Sequence, residues 1–348
     1  MSSKKRLFIE ASNIHIGGGY ILLLQILDSL RHEQSAVTVF LDARLDGIQK
    51  LYPSFTIRFV APTFCGRLKH YLILPTIPKS NDKILCFGNI PPFKKPACSY
   101  SVLYLQNWFL ICDRSDVKFE NLRIFIRIMV ERLLLKLFSK NVDTVLVQTE
   151  TVRSQAQSRL PKSNIVTMPF HAAPNVSVKS DSDFYFYPAR GDKSKNHVNL
   201  INCWIKLSKK EIRPKLVITI DVLAFPNLCS WIDEMVTKHH LNIKNIGFVD
   251  ISEIHSMYSL SPVIIFPSYF ESYGLPLVEA HALGLNIIAP ELDYVRDVCV
   301  PVETFDPHST RSIERAILRY LRFDEPIKTW SASDVLTSIM ENSFDKKR

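Results

Sequence analysis

Short runs of β-branched and aromatic residues alternate with longer stretches of helical periodicity along nearly the whole 348-residue chain. That alternation constrains the fold more than any other feature, because near-continuous apolar strands separated by helices require a parallel sheet covered on both faces. In the first half, strands read at KRLFIEA, AVTVFLD, TIRFVAP, DKILCFG, YSVLYLQ and VDTVLVQT. Helices read at ILLLQILDSL, from Glu120 to Lys140, and at TVRSQAQSRL. The pattern lapses from Met168 to Asp183, a stretch rich in Pro, Ser and Asp that reads as a link. It then restarts with FYFYPA, HVNLINCWIKLS, KLVITI, NLCSWIDEMVTKHH, NIGFVD, EIHSMYSL, PVIIFPS, LPLVEAHAL and NIIAP. Asp250 and Glu253 form a capping box for the helix that follows them. The expectation is an α/β chain of two Rossmann-like, doubly wound domains, residues 1–170 and 171–348, facing a cleft between the carboxyl ends of their sheets. Helices at RSIERAILRYL and SDVLTSIMENSF end the chain and are expected to pack back on the first domain.

Composition narrows the class. A hydrophobic content of 47% supplies two cores. No apolar run approaches the roughly 20 residues needed to span a bilayer, and Glu10 interrupts any signal-peptide core after the basic start, so the chain is expected in the cytoplasm. Seven scattered cysteines, without a Cys-x-x-Cys pair or a His cluster at ligand spacing, read as reduced thiols and predict no metal site. The net charge of +9 is uneven: residues 1–170 carry 23 basic against 12 acidic side chains, residues 171–348 carry 20 against 22. A basic first half suits a polyanionic partner. Nucleic acid is disfavoured, since the basic residues are dispersed and no nucleic-acid signature is present.

The stretch FPSYFESYGLPLVEAHALG, residues 266–284, carries the chemistry. A strand precedes it, Pro276 opens a helix and Gly284 ends it. Gly274 stands where the absence of Cβ lets backbone amides approach a ligand, and the first-turn amides with the helix dipole make an anion site. Glu271 in the loop suits the hydroxyls of a sugar, and Glu279, a turn into the helix, the two hydroxyls of a ribose. Taken alone, the two glutamates read better as a solvated loop charge and a complement to the helix dipole. The whole constellation of strand, aromatic loop, Glu, Gly, Pro, second Glu and Ala-x-Ala-x-Gly resembles retaining glycosyltransferase family 4 of the GT-B fold. ELDYVRDVCVPVETFDP is similar to its bacterial surface-polysaccharide (O-antigen) branch. The resemblance implies that Glu271 lies near the donor sugar, Glu279 on the ribose, and Ser272, Tyr273, Gly274 and Leu275 along the nucleotide diphosphate.

After the first strand of the second half comes YPARGDKSKNH. Fixed cations at a strand end stabilise a departing diphosphate more as the bond breaks than before. By resemblance, Arg190 and Lys195 clamp it; Lys193 reads equally as a solvated turn, and Asn196 and His197 as capping or buried groups. Gly17, Gly18 and Gly19 follow the first strand but are contiguous, unlike a dinucleotide fingerprint. Alone they read as a flexible strand-to-helix connection; the resemblance to GT-B enzymes implies that they lie across the cleft from the diphosphate, in phosphate or acceptor contact. Many family members have a histidine after a later strand of the first domain; here Gln106 and Asn107 stand there, with His15 the nearest other candidate.

The helix around Glu120 to Lys140 places Leu122, Phe125, Ile126, Met129, Val130, Leu133, Leu134, Leu137 and Phe138 at helical spacing, with Ile124, Ile128 and Leu135 on the other side. Such a helix is expected to pack between layers of its own domain. The alternative uses Arg123, Arg127, Arg132, Lys136 and Lys140 to rest part of it on an anionic membrane. The expected function is transfer of a sugar, with retention, from a nucleotide-diphosphate sugar to a lipid-linked glycan in O-antigen or lipopolysaccharide synthesis. This would need no cofactor or metal and would occur at the inner face of the cytoplasmic membrane. A sugar-nucleotide epimerase, a phosphorylase or an inactive nucleotide-sugar-binding relative on the same fold is the alternative.

Overall fold

The structure, a computed structural model, describes residues 6–31, 36–98, 100–112, 122–171, 173–178, 184–260 and 262–323. The second C-terminal helix expected at SDVLTSIMENSF lies outside the described residues.

The first sheet has seven strands: β1 (Arg6–Ala11), β2 (Ala36–Asp42), β3 (Thr56–Val60), β4 (Lys83–Cys86), β5 (Tyr100–Tyr104), β6 (Thr144–Val147) and β7 (Ile165–Thr167). They lie in the order β3-β2-β1-β4-β5-β6-β7. The second has six: β8 (Phe184–Tyr187), β9 (Lys215–Ile218), β10 (Ile243–Asn245), β11 (Val263–Ile265), β12 (Ile287–Pro290) and β13 (Glu303–Phe305), in the order β10-β9-β8-β11-β12-β13. The strand pairs are parallel, for example Ile9 beside Val39 and Ile264 beside Phe186. The first domain carries helices α1 (Gly17–Ser29), α2 (Phe64–Ile73), α3 (Leu122–Phe138) and α4 (Glu150–Arg159). The second carries α5 (His197–Ser208), α6 (Pro226–His239), α7 (Ile251–Ser259), α8 (Leu275–Ala282), α9 (Asp293–Arg296) and α10 (Thr310–Tyr320). Strand order reverses between β1 and β4 in one sheet and between β8 and β11 in the other. Crevices at such points, outside the carboxyl ends of the strands, are where ligands of doubly wound folds sit.

The two Rossmann-like domains expected from the alternation are therefore present, and the capping box of Asp250 and Glu253 closes in both directions. Three local readings differ. The strand expected at NIGFVD ends at Asn245, because Asn245 turns its side chain onto Ile220 and onto the Gly247 amide, and Gly247 takes a positive φ. Helix α2 and the three-residue strands β7 and β13 are absent from the sequence reading: each is too short, or too mixed in polarity, for its period to show. In α3 the expected packing between layers is only partial. Ile128 and Leu135 are buried, whereas Leu122, Ile126, Val130, Leu133 and Leu137 are exposed.

The domains meet along a seam. Phe270 stacks on Trp108 at 4.3 Å between centroids and meets Phe109 edge-on at 5.3 Å, the Trp108 amide donates to Ser272 Oγ at 2.9 Å, and the Thr151 amide donates to Asp297 at 2.9 Å. Each aromatic pair adds about 0.5–1.5 kcal/mol beyond burial. Phe270→Ala should therefore loosen closure and enlarge the radius of gyration in small-angle scattering; an unchanged profile would show that the seam does not hold the cleft shut.

At the end of β2, buried Asp42 accepts from Arg44 and Arg67 at 2.7 and 3.0 Å. Burial pushes its carboxyl up, but the two guanidiniums outweigh it and hold it at about 2, below the ordinary 3.8. A folded value below the unfolded one means the stabilisation is present above pH 4 and disappears as pH falls through about 2. Asp42→Asn should cost about 2 kcal/mol at neutral pH in urea unfolding. The deficit should shrink between pH 4 and 2, and a deficit constant across that window would contradict the ion-pair account.

Candidate functional site

A cleft of ≈ 640 Å³ opens between the carboxyl ends of the two sheets, within the range of small-ligand sites. Its floor is set by two helix N-termini. Helix α1 begins at Gly17, whose φ of +72° is natural only to glycine, and its N-cap Ile16 has no side-chain oxygen to cap the first-turn amides. Helix α8 begins after Gly274 (φ +71°), also without a side-chain cap, with Pro276 as its second residue rather than the expected first. The two ends approach closely: a Cβ on Gly18 would lie 3.1 Å from Leu275 Cδ1, and one on Gly19 would lie 3.0 Å from Gln106 Oε1. Uncapped amides on both sides of one cleft leave unpaired donors and two positive dipole ends facing the same space. An anion satisfies both.

The cationic loop follows β8. Arg190 and Lys195 line the cleft. Arg190 is half-exposed, with Nε 3.4 Å from Asp192 and its guanidinium 5.7 Å from the centre of the Phe225 ring. Lys195 Nζ donates to Glu271 Oε1 at 2.6 Å, so the loop cation and the loop acid of the second domain already meet. Asn196 takes a left-handed conformation and donates to the carbonyls of Pro267 and Pro307, a structural role. His197 is buried and donates from Nε2 to the Arg190 carbonyl at 2.9 Å, while Nδ1 has no hydrogen bond among the described residues. Burial first, then the Lys195 charge, push its pKa down to about 4, so it holds the Arg190 backbone as a neutral ring.

This loop is braced to the glutamate loop. Tyr187 donates to the Lys195 carbonyl at 2.8 Å and accepts from Ser268 Oγ at 2.9 Å. The Tyr269 amide donates to the Ser194 carbonyl, and the Tyr294 hydroxyl to that of Ser268. Buried tyrosine hydroxyls seek partners, and here those partners register one loop against the other. Glu271, Ser272, Tyr273, Gly274 and Leu275 all line the cleft beside them.

Glu279 also lines the cleft but is almost fully buried. Tyr258 donates to its Oε2 at 3.0 Å, and His171 Nε2 and His255 Nε2 stand 3.3 and 3.9 Å from Oε1. Burial pushes the carboxyl up, yet contacts with His171, His255 and Tyr258 outweigh it and keep Glu279 below the ordinary carboxylate value, hence charged. Oε1 has no aligned hydrogen bond among the described residues. It is an acceptor waiting for a donor.

On the first domain, Gln106 faces the cleft: its amide nitrogen donates to the Phe87 carbonyl at 2.9 Å, and Oε1 is buried without a hydrogen bond among the described residues. Asn107 turns away and caps the Phe109 amide. His15 is not among the residues lining the cleft; it stands near Arg44, Asp42 and Arg67, and burial with the two arginines depresses its pKa. Lys193 lies in the turn before Lys195, outside the cleft lining. The bracing side chains His171, His197, Tyr187, Ser268 and Tyr294 went unread as site residues in the sequence. For Tyr187 the signal was a hydroxyl inside the apolar strand FYFY that folding would bury; the others carried none. Among the described residues no group of three or more His, Cys, Asp or Glu side chains is placed to hold a metal ion.

Comparisons with known proteins bear on the second domain and on the fold. The Glycosyl transferases group 1 family model matches residues 172–332. A curated relative, O-antigen chain mannosyltransferase B of Escherichia coli, is 25% identical over 83 residues, 24% of this chain and 22% of its own length. Among solved structures, the sucrose-phosphate synthase of Thermosynechococcus elongatus superposes with a TM-score of 0.68 at 17% identity, covering 92% of this chain and 90% of that one. HepE of Anabaena, solved with UDP-glucose, superposes with a TM-score of 0.63 at 14% identity, covering 91% and 89%. Residues 172–332 are thus similar to the Glycosyl transferases group 1 family, and the two doubly wound sheets share the GT-B fold of those solved structures.

Proposed function

We propose that the cleft binds a nucleotide-diphosphate sugar and transfers its sugar, with retention of anomeric configuration, to a lipid-linked glycan of a bacterial surface polysaccharide. The observation that carries this reading is the pairing of two uncapped helix N-termini with Arg190 and Lys195 around one cavity. The diphosphate lies against the α8 amides and Gly18–Gly19, the ribose hydroxyls donate to Glu279, and the sugar hydroxyls donate to Glu271. As those hydroxyls take up Glu271, Lys195 is released from its 2.6 Å contact toward the phosphate. Charge growing on the departing diphosphate is then met by fixed cations and amides, which act more strongly in the transition state than in the ground state. A leaving-group oxygen takes the acceptor's proton on the same face, so the step draws on no protein nucleophile and no metal. Gln106 Oε1 accepts from a hydroxyl at the reacting end. The name of HepE's ligand supports a nucleotide sugar, and that of the Escherichia coli relative supports a surface-polysaccharide setting.

The acceptor side favours a membrane surface. No helix among the described residues is long and apolar enough to cross a bilayer. The first domain nevertheless exposes Phe64, Leu68 and Leu72 on α2 and Leu122, Ile126, Val130, Leu133 and Leu137 on α3, interleaved with Arg123, Arg127 and Lys136. Apolar and basic residues on one helix suit an anionic lipid interface. We place the protein at the inner face of the cytoplasmic membrane on that ground.

Incubating the protein with a labelled nucleotide sugar and membrane extract should move label into the lipid fraction, and the product linkage should keep the donor's anomeric configuration by NMR. Label that stays on free sugar or on an epimerised nucleotide would favour another enzyme on this fold. Lys195→Ala and Arg190→Ala should each lower kcat about 100-fold with a smaller change in donor KM. Glu279→Ala should chiefly raise donor KM; the reverse split would overturn the division of roles.

A further inference from the structure

His171 reaches the nucleotide end of the cleft from the other domain's side. It lies four residues beyond β7, in the segment joining the two sheets, and its ring is 3% exposed. Nδ1 stands 3.1 Å from Gln25 Nε2 on α1, and Nε2 stands 3.3 Å from Glu279 Oε1 on α8. An amide nitrogen only donates, so Nδ1 accepts and the ring proton sits on Nε2, facing the carboxylate. Tyr258 and His255, the other groups on Glu279, both come from α7 of the same domain and stay with it however the cleft moves. The Gln25–His171 arm does not: it joins the carboxylate to α1, the helix whose N-terminus forms the opposite wall. Glu279 Oε1, His171 Nε2 and His255 Nε2 are all buried without an aligned hydrogen bond among the described residues. A hydroxyl donor arriving at Oε1 would complete the cluster.

We propose that His171 is a positioning residue that orients Glu279 for the ribose hydroxyls and does so only in the closed cleft, so that nucleotide recognition and domain closure are one event. The proposal rests on the reading of Glu279 as the ribose acceptor. Because Gln25 on α1 holds the His171 ring, a movement of α1 away from α8 withdraws its N–H from the carboxylate, and ribose binding favours the closed arrangement in return.

The test is calorimetric titration of the full chain with UDP or GDP, whichever binds the unaltered protein more tightly, and with the 2′,3′-dideoxy form of the same nucleotide. His171→Ala should weaken the ribonucleotide about tenfold and leave the dideoxy form within about twofold. His171→Gln, which keeps a donor at similar reach, should recover much of the loss, and Gln25→Ala should show a smaller loss with the same selectivity. Equal losses on both nucleotides, or none, while Glu279→Ala remains selective for the ribonucleotide would overturn the role of His171 alone. A Glu279→Ala protein that loses both nucleotides equally would overturn the ribose reading itself, and this proposal with it. Should His171→Ala fail to fold, Gln25→Ala decides by the same selectivity.

Discussion

Two helices point their unsatisfied amide ends into the same space. Neither the Ile16 nor the Gly274 cap supplies a side-chain oxygen, and Gly18 lies so near the Leu275 side chain across the cleft that a Cβ there would stand 3.1 Å from Leu275 Cδ1. Each end carries roughly half a positive charge, and Arg190 and Lys195, paired with Asp192 and Glu271, stand beside them. The backbone donors of both ends are left without a side-chain cap. On the proposed reading, a diphosphate held between the domains pairs with those donors, and the two doubly wound sheets reverse strand order beneath the cleft, where ligands of such folds sit.

Rigidity of the loops follows from that demand. Electrostatic stabilisation of a leaving group is strong only where the charges need not move to meet it. The Tyr187, Ser268 and Tyr294 hydroxyls and the neutral His197 ring hold the cationic loop and the glutamate loop in register, using buried polar atoms of the sheet and of α5 and α9 as anchors. The Phe270 stack on Trp108 does the same across the seam. Lys195 is the exception, since its partner Glu271 is also a group the sugar would claim, which makes their contact an exchangeable one.

Much of this was legible in the chain. The β/α alternation carried the architecture, and the Glu271 to Gly284 stretch, with Gly274, Pro276 and Glu279 at fixed offsets, marked the second-domain site because each residue answers a local backbone requirement. The cross-bracing was not legible, because Tyr187, His197 and His171 acquire their roles only through partners 7 to 146 residues away. Helix α3 misled for a physical reason: its apolar residues cover most of its circumference, so the pattern showed a helix without showing which face lay inward, and the core took Ile128 and Leu135. The substitution of Gln106 and Asn107 for a histidine was visible, but only the fold separates Gln106, at the cleft, from Asn107, spent on a cap.

The central claim is that a nucleoside diphosphate sits between the α1 and α8 N-termini with its ribose on Glu279. A crystal structure of the protein soaked with the tightest-binding nucleoside diphosphate tests it most directly. The account predicts phosphate density within hydrogen-bond reach of the first-turn amides of α8 and ribose hydroxyls on Glu279 Oε1. Density elsewhere, with Glu279 still enclosed by His171, His255 and Tyr258 alone, would contradict it.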